Sequence, residues 1–221
     1  MAIHLRRTVV SCLLAPLLFG ALALTAQQPD PAFIIQHIDA TVKARIDSIA
    51  GYTATEHYAV YRKESGKSYT IVSHSGSDLI QHFVLNALLE NEKQINLPAN
   101  REGSWLTSAN YEMKLKPGGV QRVNGRDCLL LAISPRRKAP YLLEGTVWVD
   151  ARDYSLVQIQ GSASKSPSMF SGATLMMRQY ANVQGFAEAT HARAVSSSFM
   201  FGQTVITIDY SNYSIELVPS K

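Results

Sequence analysis

The sequence predicts an α+β fold in which helices from the first half of the chain cover one face of a large, curved antiparallel sheet. Three observations carry that expectation. Two amphipathic helical patterns lie before residue 94. From residue 111 onward strand-like runs follow one another with only short turns between them. No helix falls between those runs to make the crossovers that a parallel sheet needs.

The chain of 221 residues opens MAIHLRRTVVSCLLAPLLFGALALTAQQ. Arg6 and Arg7 precede an apolar run from Thr8 to Leu24, with small residues after it. Such a run is short for a membrane span and is broken by Pro16 and Gly20, so residues 1–26 read as a cleaved signal peptide. Val9-Val10-Ser11-Cys12 resembles a lipobox only formally, because most of the apolar run lies after Cys12. Loss of the leader takes Arg6 and Arg7 with it, and the formal charge falls from +4 to +2. Nothing strongly basic then remains to demand nucleic acid. Cys128 is the one cysteine left, so the mature chain, residues 27–221, has no intramolecular disulfide and must stand on its core. Its length suits a single domain, expected in the periplasm as a monomer.

Asp30-Pro31 reads as an N-cap followed by proline in the first turn. Ile34, Ile38, Val42, Ile46 and Ile49 then recur at three- to four-residue spacing, an apolar stripe ending near Gly51. A second helix is predicted over residues 78–93, capped by Ser77, with Ile80, Phe83, Val84, Ala87 and Leu88 on its apolar face. Strands are predicted at 52–63, 67–74, 111–115, 128–134, 142–150, 155–164, 174–183, 188–201 and 204–217, with a loop around Pro98. Asn124-Gly125 is the strongest hairpin signal in the chain.

Asp150 and Asp153 raise the question of an acid pair. If residues 151–154 form the turn of a hairpin, Asp150 faces Ser155, Trp148 faces Val157 and Thr146 faces Ile159. Both carboxylates then sit at a solvated hairpin end, where aspartate bonds its own backbone and nothing separates two pKa values. The pair reads as a turn. Other signals for chemistry are equally thin. His74-Ser75-Gly76-Ser77-Asp78 lacks the first glycine of a nucleophile elbow and suits a helix cap. His57, His74, His82 and His191 have no zinc-site spacing and read as isolated. Arg136-Arg137-Lys138 reads as a solvated loop, with contact to an anionic lipid headgroup at about 1 kcal/mol per charge as the alternative. No catalytic residue, metal or cofactor is expected.

Several framework stretches occur in a suggestive order: Tyr111-Glu112-Met113-Lys114-Leu115, Val123-Asn124-Gly125-Arg126-Asp127-Cys128, Pro135-Arg136-Arg137-Lys138, Gly145-Thr146-Val147-Trp148-Val149-Asp150 and Lys165-Ser166-Pro167-Ser168. Phe201-Gly202 and Ile208-Asp209-Tyr210-Ser211-Asn212-Tyr213 close the series. Together they resemble the outer-membrane lipoprotein-sorting protein family, the LolA-like periplasmic carriers. Most of the mature chain takes part, more strongly after about residue 105. Gly185-Phe186-Ala187-Glu188-Ala189 departs from the pattern, lacking the proline that relatives carry at the start of a late strand.

The resemblance implies an unclosed antiparallel β-barrel, a half-barrel, with helices on its concave face and a cavity that holds the acyl chains of lipids or lipoproteins. About 15 buried methylenes are worth roughly 12 kcal/mol, so such a chain crosses water only inside a protein. Membrane donor and acceptor proteins are implied as partners. Trp148, Val157 and Ile159 are expected to face the cavity, because Gln158 and Gln160 mark the other face as wetter. Ile80, Phe83, Val84 and Leu88 are expected to fill it from a movable second helix. A lipid-sensing module that acts on a protein partner is the alternative reading, and a secreted hydrolase lacks any assembled constellation.

Overall fold

A computed structural model describes residues 30–63, 70–71, 98–139, 141–165, 174–198 and 202–219. The leader, the predicted helix over 78–93 and its residues Ile80, Phe83, Val84 and Leu88 lie outside the described residues.

Helix α1 spans Pro31–Ser48. The Asp30 carboxylate accepts the Ala32 N–H at 3.0 Å, and Pro31 occupies the first turn, where a missing N–H costs nothing. Asp30→Ala should cost about 1 kcal/mol in a urea melt; an unchanged midpoint would show that the cap contributes nothing. The helix stops at Ser48 rather than near Gly51. Ile49 is already extended and pairs with Leu217, so the sheet takes the residue that periodicity gave to the helix.

Among the described residues ten strands follow: β1 Ile49–Lys63, β2 Thr70–Ile71, β3 Tyr111–Leu115, β4 Gln121–Val123, β5 Arg126–Pro135, β6 Leu143–Asp150, β7 Leu156–Ala163, β8 Thr174–Val183, β9 Phe186–Ser198 and β10 Gly202–Leu217. A short helix, α2 Pro98–Ser104, stands where the sequence suggests a loop, with proline at its start. The strands form one antiparallel sheet in the order β2-β1-β10-β9-β8-β7-β6-β5-β3, with β4 also on β5. Among the described residues no ladder joins β2 to β3, so the barrel is unclosed.

Tight turns set the meander. Asn124 and Gly125 both have positive φ (49° and 77°) and close the β4–β5 hairpin, as the Asn-Gly signal predicts. Gln184 and Gly185 do the same between β8 and β9, so β9 starts at Phe186 without a proline. The β6–β7 turn occupies residues 151–154, and the Asp150 N–H donates to the Ser155 carbonyl at 2.9 Å.

One residue later the expected register fails. Val149 pairs with Leu156, but a β-bulge at Val157 lets Trp148 pair with Gln158 and Val147 with Ile159. A shift of one residue reverses which side chains share a face. Ile159 therefore joins Val147 and Val149 on the α1 side, whereas Trp148 is turned to the outer face, where its indole N–H donates to Gln121 at 2.7 Å.

α1 lies against the concave face. Ile34 and Ile38 are buried in one core with Tyr111 and Met113 of β3, Leu129, Leu131 and Ile133 of β5, Val147 and Val149 of β6, and Ile159 of β7. Polar ties hold the helix along its length. The Asp39 carboxylate accepts from the Ser108 N–H at 2.8 Å and from its hydroxyl at 2.5 Å. Arg45 forms a two-pronged pair with Glu188 of β9, both contacts at 2.8 Å.

Candidate functional site

Directly opposed residues on adjacent antiparallel strands share a face, so the register defines rows across the concave side. One row runs Ile133, Gly145, Gly161, Met176, Ala194, Ile206 and Val60, from β5 to β1. All seven are apolar. At about 4.8 Å per strand this floor spans some 29 Å along the sheet, whereas one acyl chain covers about half of a bilayer core of roughly 30 Å. Among the described residues the buried core around α1 extends to Ile159 of β7 and the flank of Tyr180 on β8, and the row continues past that core.

The parallel row nearer the β6–β7 turn runs Leu131, Val147, Ile159, Arg178, Ala192, Ile208 and Tyr58. It is apolar except for Arg178 and the phenol of Tyr58.

At the turn end, α1 and the hairpin tips enclose a cleft of about 250 Å³. Ile38, Val42, Leu106, Val149, Leu156 and Phe186 contribute to its apolar walls, and Arg45, Arg126, Asp153 and Ser155 are among its polar groups. That volume is below the roughly 300–1,000 Å³ of small-molecule sites, so a whole acyl chain needs the floor as well as the cleft.

The two aspartates do serve the turn, but Asp150 is buried rather than solvated, with 7% of its surface exposed. Arg126 is the reason. Its Nε donates to Asp150 at 2.6 Å, and its second arm reaches the Ser155 hydroxyl at 2.6 Å and Asp153 at 3.2 Å. Asp150 also accepts the Arg152 N–H at 2.7 Å, and Asp153 the Ser155 N–H at 2.9 Å. Burial alone would raise the Asp150 pKa; the Arg152 N–H and the Arg126 guanidinium outweigh it and hold the carboxyl below its usual value. A depressed folded pKa gives stability that is full above the ordinary carboxylate value near 3.9 and is lost as pH falls through the folded value. Wild type should therefore lose stability on acidification below about pH 4 more steeply than Asp150→Asn. Parallel pH profiles of the two melts would refute this attribution.

The remaining predicted groups are placed as follows. Val157 is fully buried at the bulge, so Val157→Asp would cost the fold as well as any binding. Arg136 and Arg137 are committed to the chain: Arg136 donates to the Ser108 carbonyl at 2.8 Å and Arg137 to the Gly103 carbonyl at 2.6 Å. His191 is not isolated; its Nδ1 lies 2.6 Å from Asp209, which stands opposite His57 on the neighbouring strand. No three His, Cys, Asp or Glu side chains among the described residues gather as a metal site. Burial raises the Cys128 thiol above its ordinary value. The sequence alone assigns no role to Arg178, Arg45 or Glu188. A lone arginine between Met177 and Gln179 was the available signal for the first, and nothing local signals a pair 143 residues apart.

No family model and no curated protein matches the sequence. Two solved structures are similar to this chain. One is a LolA superfamily protein from Nitrosomonas europaea, at 12% identity and TM-score 0.40, with 87% of this chain and 96% of that one covered. Another is an outer membrane lipoprotein-sorting protein domain from Vibrio parahaemolyticus, at 12% identity and TM-score 0.36, with 74% and 62% covered. No helix among the described residues is long and apolar enough to cross a membrane.

Proposed function

We propose that this chain is a periplasmic carrier that binds acyl chains of lipids or lipoproteins against the concave face of its half-barrel. The seven-residue apolar row from Ile133 to Val60 carries the reading: among the described residues it continues past the core around α1 as one apolar strip, long enough to lie along an acyl chain. The framework motifs that resemble lipoprotein-sorting proteins support the same reading. Ile159 belongs to the floor, and Ile80, Phe83, Val84 and Leu88 of the predicted second helix supply the exchangeable cover. Residues 1–26 direct export and are removed. Membrane donor and acceptor proteins load and unload the monomer.

Met176→Glu places a carboxylate in the middle of the floor and should weaken binding of a fluorescent fatty acid about tenfold or more. Leu175→Glu, at an outer position that is 45% exposed, should leave binding unchanged. Equal binding by both variants in a fluorescence titration would show that the floor is not the site.

A further inference from the structure

The polar groups of the cleft between α1 and the hairpin tips fall into two sets. Its charged side chains among the described residues are Arg45, Arg126 and Asp153, and each is already engaged. Glu188 holds Arg45 two-pronged, and Asp150 and Asp153 share Arg126. Two guanidiniums therefore stand against three carboxylates. Arg45 also lies in the last turn of α1, where the helix dipole adds negative character. A further anion entering here meets cations that are spoken for and carboxylates that repel it.

The second set is uncharged: Thr41 of α1, Ser155 just past the β6–β7 turn, and Asn182 near the end of β8. Three separate elements bring them to one cleft, and each has a proton to give. The Asn182 side-chain oxygen accepts the Gly185 N–H at 3.0 Å, which fixes the amide and leaves its two N–H donors over. The Ser155 Oγ accepts from Arg126 at 2.6 Å, so its own proton remains for another acceptor. The Thr41 hydroxyl, half-buried on the helix, is a third donor.

We propose that this cleft takes the uncharged, carbonyl-bearing end of an acyl compound, an ester or an amide, and selects against the free carboxylate. Apolar walls with a few convergent donors fix the orientation of such a ligand, and its carbonyl oxygen accepts what Thr41, Ser155 and Asn182 offer. The inference rests on the carrier reading and adds which end of the cargo the cleft holds.

The test is displacement of a polarity-sensitive dye from the full chain at neutral pH, where dodecanoate is ionised. The competitors are methyl dodecanoate, N-methyl dodecanamide, dodecanoate and 1-chlorododecane, the last having the tail but no oxygen. The ester or the amide should act at concentrations about fivefold or more below those of dodecanoate and 1-chlorododecane, and the better of the two names the linkage. Asn182→Asp keeps an acceptor for the Gly185 N–H but loses both donors and adds a carboxylate, so carbonyl binding should fall about tenfold. Thr41→Val, of similar shape, should weaken it about threefold. Neither variant should move 1-chlorododecane. Wild-type displacement by dodecanoate as effective as by the ester and the amide overturns the selection and leaves the carrier reading standing. So does carbonyl binding that neither variant alters, or an equal loss for 1-chlorododecane. Displacement by none of the four overturns both. Should Thr41→Val fail to fold, Asn182→Asp, at an exposed position, decides alone.

Discussion

Gly145→Ala is expected to destabilise the protein by about 3 kcal/mol, at the upper end of overpacking costs, because the added methyl would meet backbone rather than side chain. Gly145 and Gly161 stand directly opposite each other on β6 and β7. A Cβ on Gly145 would lie 2.1 Å from the Gln160 carbonyl oxygen and 2.5 Å from the Gly161 Cα. One on Gly161 would lie 2.3 Å from the Glu144 carbonyl oxygen. No rotamer relieves contacts of that kind; the strands must part, which breaks the ladder between Gly145 and Gly161. Since either methyl forces the same separation, the double variant should cost less than the sum of the singles. Gly119→Ala is the contrast. Its Cβ would meet nothing within 4 Å, and only the positive φ of 75° opposes it, at about 1 kcal/mol. Urea melts read all four, and a Gly145→Ala midpoint no lower than that of Gly119→Ala would disprove the close approach.

Most of this architecture was legible in the sequence because its signals are local. Asp30-Pro31 starts α1, Asn124-Gly125 closes a hairpin, and the alternating runs at 52–63 and from 111 onward become strands within a few residues of their predicted limits, whereas the predicted strand over 67–74 lies mostly outside the described residues. The half-barrel expected from the family resemblance is the fold observed. What failed was register. A single extra residue at Val157 carries no compositional mark, yet it turns Trp148 outward and Ile159 inward, and two of the three side chains assigned to one face of that hairpin part company.

The site was less legible than the fold for a related reason. The floor is a property of rows, and a row takes one residue from each of seven strands spread between Val60 and Ile206. No window of the sequence contains it. Gly145 and Gly161 read locally as weak points in their strands and become, side by side, the place where two backbones approach too closely for a side chain. A hairpin turn is usually solvated, which is what the sequence predicts for Asp150; the residue that buries it, Arg126, comes from the preceding hairpin.

Breaking the Arg45–Glu188 pair is expected to rank beside the glycine substitutions. Glu188 keeps only 5% of its side chain exposed, so Arg45→Ala strands a buried carboxylate and should cost about 4 kcal/mol, within the range for broken buried pairs. Glu188→Ala should cost less, about 3 kcal/mol, because Arg45 has 34% of its side chain in solvent and can turn toward water, with the Tyr52 ring 5.7 Å away. Burial alone would lower the Arg45 pKa, and the Glu188 carboxylate more than reverses it, so the guanidinium stays charged at any pH where the protein folds. Replacing both at once, Arg45→Met with Glu188→Leu, removes the stranded charge and should recover most of the loss. The order of these three in chemical denaturation separates a desolvated pair from an ordinary surface bridge, whose loss would cost under about 1 kcal/mol. The pair also ties the last turn of α1 to β9 beside the cleft. If α1 covers the cleft from a fixed position, amide exchange across its last two turns should quicken in Glu188→Ala while its first turns, held by Ile34 and by Asp39 to Ser108, stay protected. Uniform quickening along the whole helix would mean that the buried isoleucines, and not the ion pair, set its position.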